Sequence, residues 1–170
     1  MHFLTNHDEN SWQGTIEERM GPAADAMAVL AFTIDGMPLI YSGQEAGLDH
    51  RLKFYDKDTI PWGDFEKQAF YTTLLSLKHR NPALGNGLAG GVRQTVQIAE
   101  TDDAIYAYRR VKGDNQVVVF LNLSNEPKTF KLDDENLEGE YTNVFANSTL
   151  KLTPEMSMQL NPWAYLLLEQ

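Results

Sequence analysis

One change of hydrophobic rhythm divides this chain. Up to Gly85-Asn86-Gly87, apolar residues recur at helical spacing between short apolar runs. Beyond that point they fall into stretches of strand length, separated by turn-forming residues. A chain of 170 residues patterned this way reads as α/β followed by all-β, divided into 1–84 and 85–170.

In the second part eight short strands are predicted, over 92–99, 104–111, 116–123, 128–132, 140–146, 150–152, 156–160 and 163–168. Asp102-Asp103, Gly113-Asp114-Asn115, Ser124-Asn125, Gly139, Thr153-Pro154 and Asn161-Pro162 supply the turns. Such spacing predicts an antiparallel β-sandwich.

In the first part a helix is predicted from Pro22 to about Thr33, with Ala23, Met27, Leu30 and Ile34 at helical spacing and Gly36 past its end. A second is predicted over Phe65 to His79, with Asp64 as its cap and Pro82 as its stop. Its apolar positions are Phe70, Leu74 and Leu77, widened by Ala69 and Leu75. Met27, Phe70 and Leu74 are expected in the core, and His79 and Arg80 complement the second helix's dipole. Two apolar runs read as strands: the start of "FLTNHDEN" (Phe3 to Asn10), and Leu39-Ile40-Tyr41, the latter of the kind buried on both faces. Pro38 has no N–H to donate and suits the first position of its strand.

Composition narrows the partners. Asp plus Glu number 24 against 14 Lys plus Arg, for a net charge of −10, with no basic stripe. Nucleic acid and anionic membranes are therefore not expected partners. The absence of Cys excludes disulfides, thiolate metal sites and a Cys nucleophile. No apolar run approaches the length of a membrane span, and Met1 does not open a signal peptide.

Both strand candidates end in polar clusters, and a strand–helix–strand–helix order implies parallel strands. In parallel sheets, chemistry gathers at the C-terminal ends of the strands. Asp8 ends the first strand and Glu45 the second, so neighbouring strands would aim both at one mouth. Read from the residues alone, this suggests a carboxylate pair for acid–base work on a glycosidic bond. His7 would donate to a sugar hydroxyl, and Trp12, Trp62 and Tyr41 would offer apolar faces to sugar rings. Plainer readings stand beside these. Asn-His-Asp alone is more often a turn than a site. Glu45 alone is more often a packed or ion-paired carboxylate. Trp62 follows Pro61 and reads as packing. Asp56 and Asp58 in "YDKDT" lack the Gly and distal Glu of a calcium loop and read as a solvated loop. His2 and His50 carry no further signal.

The order "FLTNHD", helix, "GMPLIYSGQEAG" (Gly36 to Gly47), helix closing on "LKHRNPAL" (Leu77 to Leu84), then a small β domain resembles the α-amylase superfamily of glycoside hydrolases. The resemblance implies the last two β/α units of a TIM-type (β/α)8 barrel plus a C-terminal antiparallel β-sandwich. It implies that Asp8 is the carboxylate that stabilises the transition state, and that His7 hydrogen-bonds the same sugar. Glu45 matches no catalytic residue of that family, so the resemblance replaces the Asp8–Glu45 pair. It leaves Asn6, Tyr41 and Glu45 as supporting residues. The nucleophile and acid would precede residue 1, making this the C-terminal part of a longer, retaining enzyme acting on α-1,4-glucans. The chain alone would then be inactive. No cofactor or metal is expected in the chain, and calcium stays open for the parent. α-Glucan is the expected partner of the parent. Two unpaired strands predict either self-association or poor order of the first part. A non-catalytic glucan-binding or partner-docking module is the alternative, and compartment stays undetermined.

Overall fold

The computed structural model describes residues 1–101 and 103–170; Asp102, half of an expected turn, lies outside the described residues. The chain opens with β1 (His2–Phe3), a π-helical turn (Glu9–Gln13), α1 (Ile16–Met20) and α2 (Ala24–Thr33). β2 (Pro38–Leu39) and α3 (Gln68–Arg80) complete the first part. Nine strands follow among the described residues: β3 (Val92–Thr95), β4 (Ile98–Ala99), β5 (Ile105–Lys112), β6 (Asn115–Asn122), β7 (Lys128–Leu132), β8 (Gly139–Asn143), β9 (Ser148–Leu152), β10 (Ser157–Leu160) and β11 (Tyr165–Glu169).

The strands of the second part form two antiparallel sheets, with orders β3-β5-β6-β11-β8-β9 and β10-β7-β4. The sequence reads 92–99 as one strand; the structure divides it at Val96-Gln97. Val96 still donates to Ala107 of β5 and buries its side chain between the sheets, while the Gln97 carbonyl accepts from Asp133 beside β7. The chain thus turns a corner from one sheet to the other.

β6 shows how the layers stack. Val117, Val119 and Leu121 pack toward the helices, whereas Val118 and Phe120 pack toward the smaller sheet. Side chains alternate along a strand, so a continuous apolar run means burial on both faces. The six-stranded sheet is accordingly the middle layer of three, with α2 and α3 on one face and the smaller sheet on the other. Phe70 of α3 stacks on Phe145 at 5.3 Å, and Tyr165 of β11 meets Phe145 edge-on at 5.2 Å. Burial, and then the nearby Asp25 carboxylate, push the Tyr165 phenol up to about 12.

β1 and β2 pair in parallel, His2 with Pro38 and Phe3 with Leu39. Pro38 takes the first position of β2, as expected. Leu39, Ile40 and Tyr41 are only half-buried, not covered on both faces as the apolar run suggests. No further strand flanks this pair among the described residues.

The helices differ from expectation in which residues they bury. α2 ends at Thr33, as predicted, but its core face is Ala26, Val29, Phe32 and Thr33. Met27, expected in the core, instead lines an open apolar groove with Leu30, Ile34, Met20 and Phe3. The segment "ADAMAVLAFT" is apolar nearly all round, so spacing alone does not choose a face. α3 begins at Gln68, and Asp64 does not cap it, because Phe65 has a left-handed backbone (φ 55°) that no helix can contain. Its buried positions are Tyr71, Leu74 and Leu77, while Ala69 and Leu75 are exposed. Lys78, His79 and Arg80 occupy its last turn. α1 starts in a capping box: Glu18 N–H donates to Thr15 Oγ1 (3.2 Å), and Thr15 N–H donates to Glu18 Oε2 (2.8 Å).

Arg110 joins the layers. It lies on the helix-facing side of β5 and is only 1% exposed. Its guanidinium donates to the carbonyls of Gly91 (3.0 Å), Thr33 (3.2 Å) and Gly85 (3.1 Å). Asp35 lies 3.2 Å from Nη2. Two residues earlier on β5, Tyr108 Oη and Thr33 Oγ1 share a 2.6 Å hydrogen bond. Gly90 lets the link close: a Cβ there would collide with the Gly85 carbonyl and with Arg110 Nη2.

Replacing Arg110 by Met should leave three carbonyls without their charged donor and lower unfolding free energy by ~3 kcal/mol in urea. A loss below ~1 kcal/mol would show that the clasp is dispensable.

Candidate functional site

The site is built at the C-terminal end of β1. Leu4 and Thr5 are buried, and they fix the strand's end against the core. Asn6 then turns the chain, with its Oδ1 accepting the N–H groups of Asp8 and Glu9, each at 2.9 Å. This is the job of a helix cap, and it gives Asn6 a positioning role over the two residues it precedes. His7 and Asp8 are left at the surface, with side chains 69% and 60% exposed and Nε2 3.6 Å from Oδ2. Arg19 braces the same turn, donating to the Leu4 carbonyl (3.0 Å) and pairing with Glu9 (2.9 Å).

The second strand end is built differently. Gly43 takes φ 89°, and a Cβ on it would lie 2.7 Å from Ile60 Cγ2, so both backbone and space demand glycine. Tyr41 N–H donates to Gln44 Oε1 (3.3 Å), and Gln44 Nε2 donates to Tyr71 Oη (2.7 Å). Glu45 is half-buried, its backbone carbonyl accepts from Lys67, and its Oε2 is buried without a hydrogen-bond partner. Burial first, then the Asp25 and Glu45 charges, push the Tyr71 phenol up to about 12. The structure therefore groups Glu45 with Tyr71 and Asp25, and Asp8 with His7.

The loop after β2 is stitched to the segment after β1. Buried Asn10 donates to the His50 carbonyl (3.0 Å) and accepts from Leu52 N–H (2.8 Å). Ser11 donates to the Leu52 carbonyl (2.7 Å), and Thr15 donates to Asp49 (2.7 Å). Arg51 pairs with Glu18 at 2.7 Å. Within the loop, Asp58 accepts from the N–H groups of Lys53 (3.0 Å) and Thr59 (2.8 Å), and its Oδ2 lies 3.1 Å from His50 Nε2. Those three groups engage both oxygens of the Asp58 carboxylate. No group of three or more His, Asp or Glu able to hold a metal occurs among the described residues.

This stitching sets aromatic rings beside His7. Phe54 stacks on the His7 ring at 6.0 Å. Trp12 lies 5.2 Å from Phe54 and 6.1 Å from Tyr55, and Phe54 and Tyr55 meet edge-on at 4.9 Å. Trp62 stacks on Phe65 at 5.9 Å, and both remain exposed. Sequence reasoning named Trp12 but missed Asn10, His50, Phe54 and Tyr55. Two adjacent aromatics inside the polar run "RLKFYDKDT" were the readable signal. Asn10 gave none, because an Asn in a polar turn looks the same whether buried or solvated.

Residues 101–169 match the family of cyclo-malto-dextrinase C-terminal domains. α-Amylase MalA of Haloarcula japonica is 33% identical over 161 residues, spanning 90% of this chain and 23% of that protein. α-Amylase 2 of Dictyoglomus thermophilum is 25% identical over 169 residues, spanning 89% of this chain and 27% of that protein. Among solved structures, the maltogenic α-amylase AmyB of Thermotoga neapolitana superposes with a TM-score of 0.80 at 20% identity, covering 99% of this chain and 40% of that one. An α-amylase of Lactobacillus plantarum gives 0.72 at 19% identity, covering 100% of this chain and 38% of that one; at such identities the likeness is one of fold. The chain is thus similar over 101–169 to cyclo-malto-dextrinase C-terminal domains, and over most of its length to the C-terminal region of α-amylases. It spans roughly a quarter of the length of these two curated relatives.

Two predictions follow from the stitched loop. Asn10→Ala removes both buried bonds to the loop and should lower stability by ~1–3 kcal/mol in urea denaturation. The second concerns acid. The N–H groups of Lys53 and Thr59, and then His50, hold the Asp58 carboxyl down at about 2. A depressed aspartate contributes stability that is fully present above its ordinary 3.8 and is lost as pH falls through about 2. The amide resonances of Lys53 and Thr59 should titrate together with a midpoint near 2; a midpoint at 3.8 would show that these bonds do not hold the loop.

Proposed function

We propose that this chain is the C-terminal region of an α-amylase-type glycoside hydrolase cleaving α-1,4-glucosidic bonds of starch-like glucans with retention, and that Asp8 and His7 belong to its active site. One observation carries this reading. β1 runs parallel to β2 and ends in an Asn6-capped turn that leaves His7 and Asp8 side by side and open to a ligand. In parallel β/α barrels, the strands' C-terminal ends are where the chemistry is placed. Segment 1–84 then supplies the last two β/α units of the barrel, and segment 85–170 supplies the β-sandwich.

In this reading the Asp8 carboxylate accepts hydrogen bonds from sugar hydroxyls at the cleavage point. Its charge faces the positive charge that develops on the ring in an oxocarbenium-like transition state. An interaction stronger in the transition state than in the ground state lowers the barrier. His7 donates a hydrogen bond to the same sugar. Asn6 holds both residues in place, and Tyr41 and Glu45 support the neighbouring strand end.

The nucleophile and the acid, set ~5–5.5 Å apart in retaining enzymes, come from outside this chain, and so does any calcium the parent binds. The free edges of β1 and β2, and the groove of Phe3, Met20, Met27, Leu30 and Ile34, suit an adjoining part of the same protein. In the isolated chain these surfaces would instead favour self-association. The isolated chain would hydrolyse no maltooligosaccharide.

The test is Asp8→Asn in the full-length protein, which removes the charge and keeps the shape. kcat/KM on maltooligosaccharides should fall by ~100-fold or more. A fall of less than ~10-fold would overturn the assignment of Asp8.

A further inference from the structure

We propose that Asn86 is a site of spontaneous deamidation, and that its isoaspartate product loosens the hold of Arg110 on the junction between the helices and the middle sheet. The proposal is independent of the assignment of Asp8 and His7.

Gly85-Asn86-Gly87 marks the change of hydrophobic rhythm, and Asn86 is the one asparagine of the sequence that glycine follows. Deamidation starts when the backbone nitrogen of the next residue attacks the asparagine side-chain carbonyl. A glycine there has no side chain to obstruct the approach, and the space where a Gly87 Cβ would stand is open. Asn86 is exposed and extended (φ −96°, ψ 149°), and its side chain makes no capping bond to the helical turn Gly87–Ala89 that it precedes. Other asparagines lack this combination. Asn10 and Asn122 are buried, with both ends of the amide hydrogen-bonded. Asn81 and Asn161 precede prolines, which have no N–H to give up.

The chemistry needs water alone. The Gly87 nitrogen forms a bond to Asn86 Cγ, the Cγ–Nδ2 bond breaks, and ammonia leaves with the proton that Gly87 gives up. The cyclic imide then takes up one water. Opening at Cγ leaves aspartate. Opening at the main-chain carbonyl leaves isoaspartate, whose backbone runs through the former side chain and is one methylene longer.

That methylene enters a segment without slack. Gly91 N–H donates to the Ala83 carbonyl (2.9 Å), while Ala89 and Gly90 N–H groups donate to the carbonyls of Asn86 (3.2 Å) and Gly87 (3.1 Å). Gly85 and Gly90 press so closely that a Cβ on Gly90 would collide with the Gly85 carbonyl. Gly85 and Gly91 also supply two of the carbonyls that the buried Arg110 guanidinium holds. A longer backbone between positions 86 and 87 therefore shifts Gly85 against Gly91, and a buried charge loses bonds it depends on.

The experiment is to age this chain in warm, mildly alkaline buffer and digest it with trypsin. The peptide from Asn81 to Arg93 contains both Asn81 and Asn86. It should gain one mass unit at position 86 and none at position 81, and it should separate into aspartate and isoaspartate isomers. Aged protein should melt ~3 °C or more below fresh protein, whereas aged and fresh Asn86→Gln protein should melt alike. An Asn86 left intact by prolonged incubation overturns the site. A modified Asn86 with an unchanged melt, or an equal fall in aged Asn86→Gln protein, overturns the link to Arg110.

Discussion

The Arg110 guanidinium holds two different kinds of structure in one body. It reaches from the middle sheet to the carbonyls of Thr33, Gly85 and Gly91, which close α2, follow α3 and precede β3 respectively. A buried charge is expensive unless its hydrogen bonds are met. Here its donors meet carbonyls that their own elements leave free, so the charge and those carbonyls satisfy one another. The helical segment consequently packs against the sheet in one fixed arrangement. The apolar faces of Tyr108, Val117, Val119, Leu121 and Leu167 could accept helices in several registers, because hydrophobic contact is non-directional. The directional bonds of Arg110 choose one.

That fixed arrangement matters for the strand end. β1 is two residues long and pairs with one two-residue partner, which is too little to hold a site still. Its position is set by what lies beneath and behind it: Leu4 in the core shared with α2 and the sheet, and Arg19 on the Leu4 carbonyl. His7 and Asp8 are thus exposed on a turn whose base is buried. A surface pair mounted in this way keeps its orientation without needing an ion pair of its own, and exposed ion pairs contribute little in any case.

The fold was legible where the sequence had a single meaning. Turn residues at regular intervals marked the β strands, because Gly, Pro, Asn and Asp bend the chain for local reasons. Pro82 and Gly36 marked helix ends for the same kind of reason. Legibility failed where the outcome depended on tertiary partners. α2 is apolar on both faces, and only the location of the sheet decides that Val29 and Phe32 go in while Met27 and Leu30 line a groove. The start of α3 was misplaced because Phe65 adopts a left-handed backbone that its residue type disfavours. The capping box Thr15–Glu18 was written openly as Thr-x-x-Glu and went unread. At the site, His7 and Asp8 were visible as a polar cluster ending an apolar run. Asn10 and His50 were invisible, since their roles exist only once residues forty apart in sequence are adjacent.

The groove along α2 and the stitched loop differ in what they leave open. The stitched loop has its polar groups largely paired within the chain, so its shape is self-determined. The groove, by contrast, leaves Met20, Met27, Leu30 and Ile34 partly open beside a strand pair that no further strand flanks among the described residues. Apolar surface next to unpaired backbone is what an element presents when its neighbour is another element of the same kind. The stitched loop therefore holds its shape by its own hydrogen bonds, whereas the groove keeps apolar side chains partly exposed.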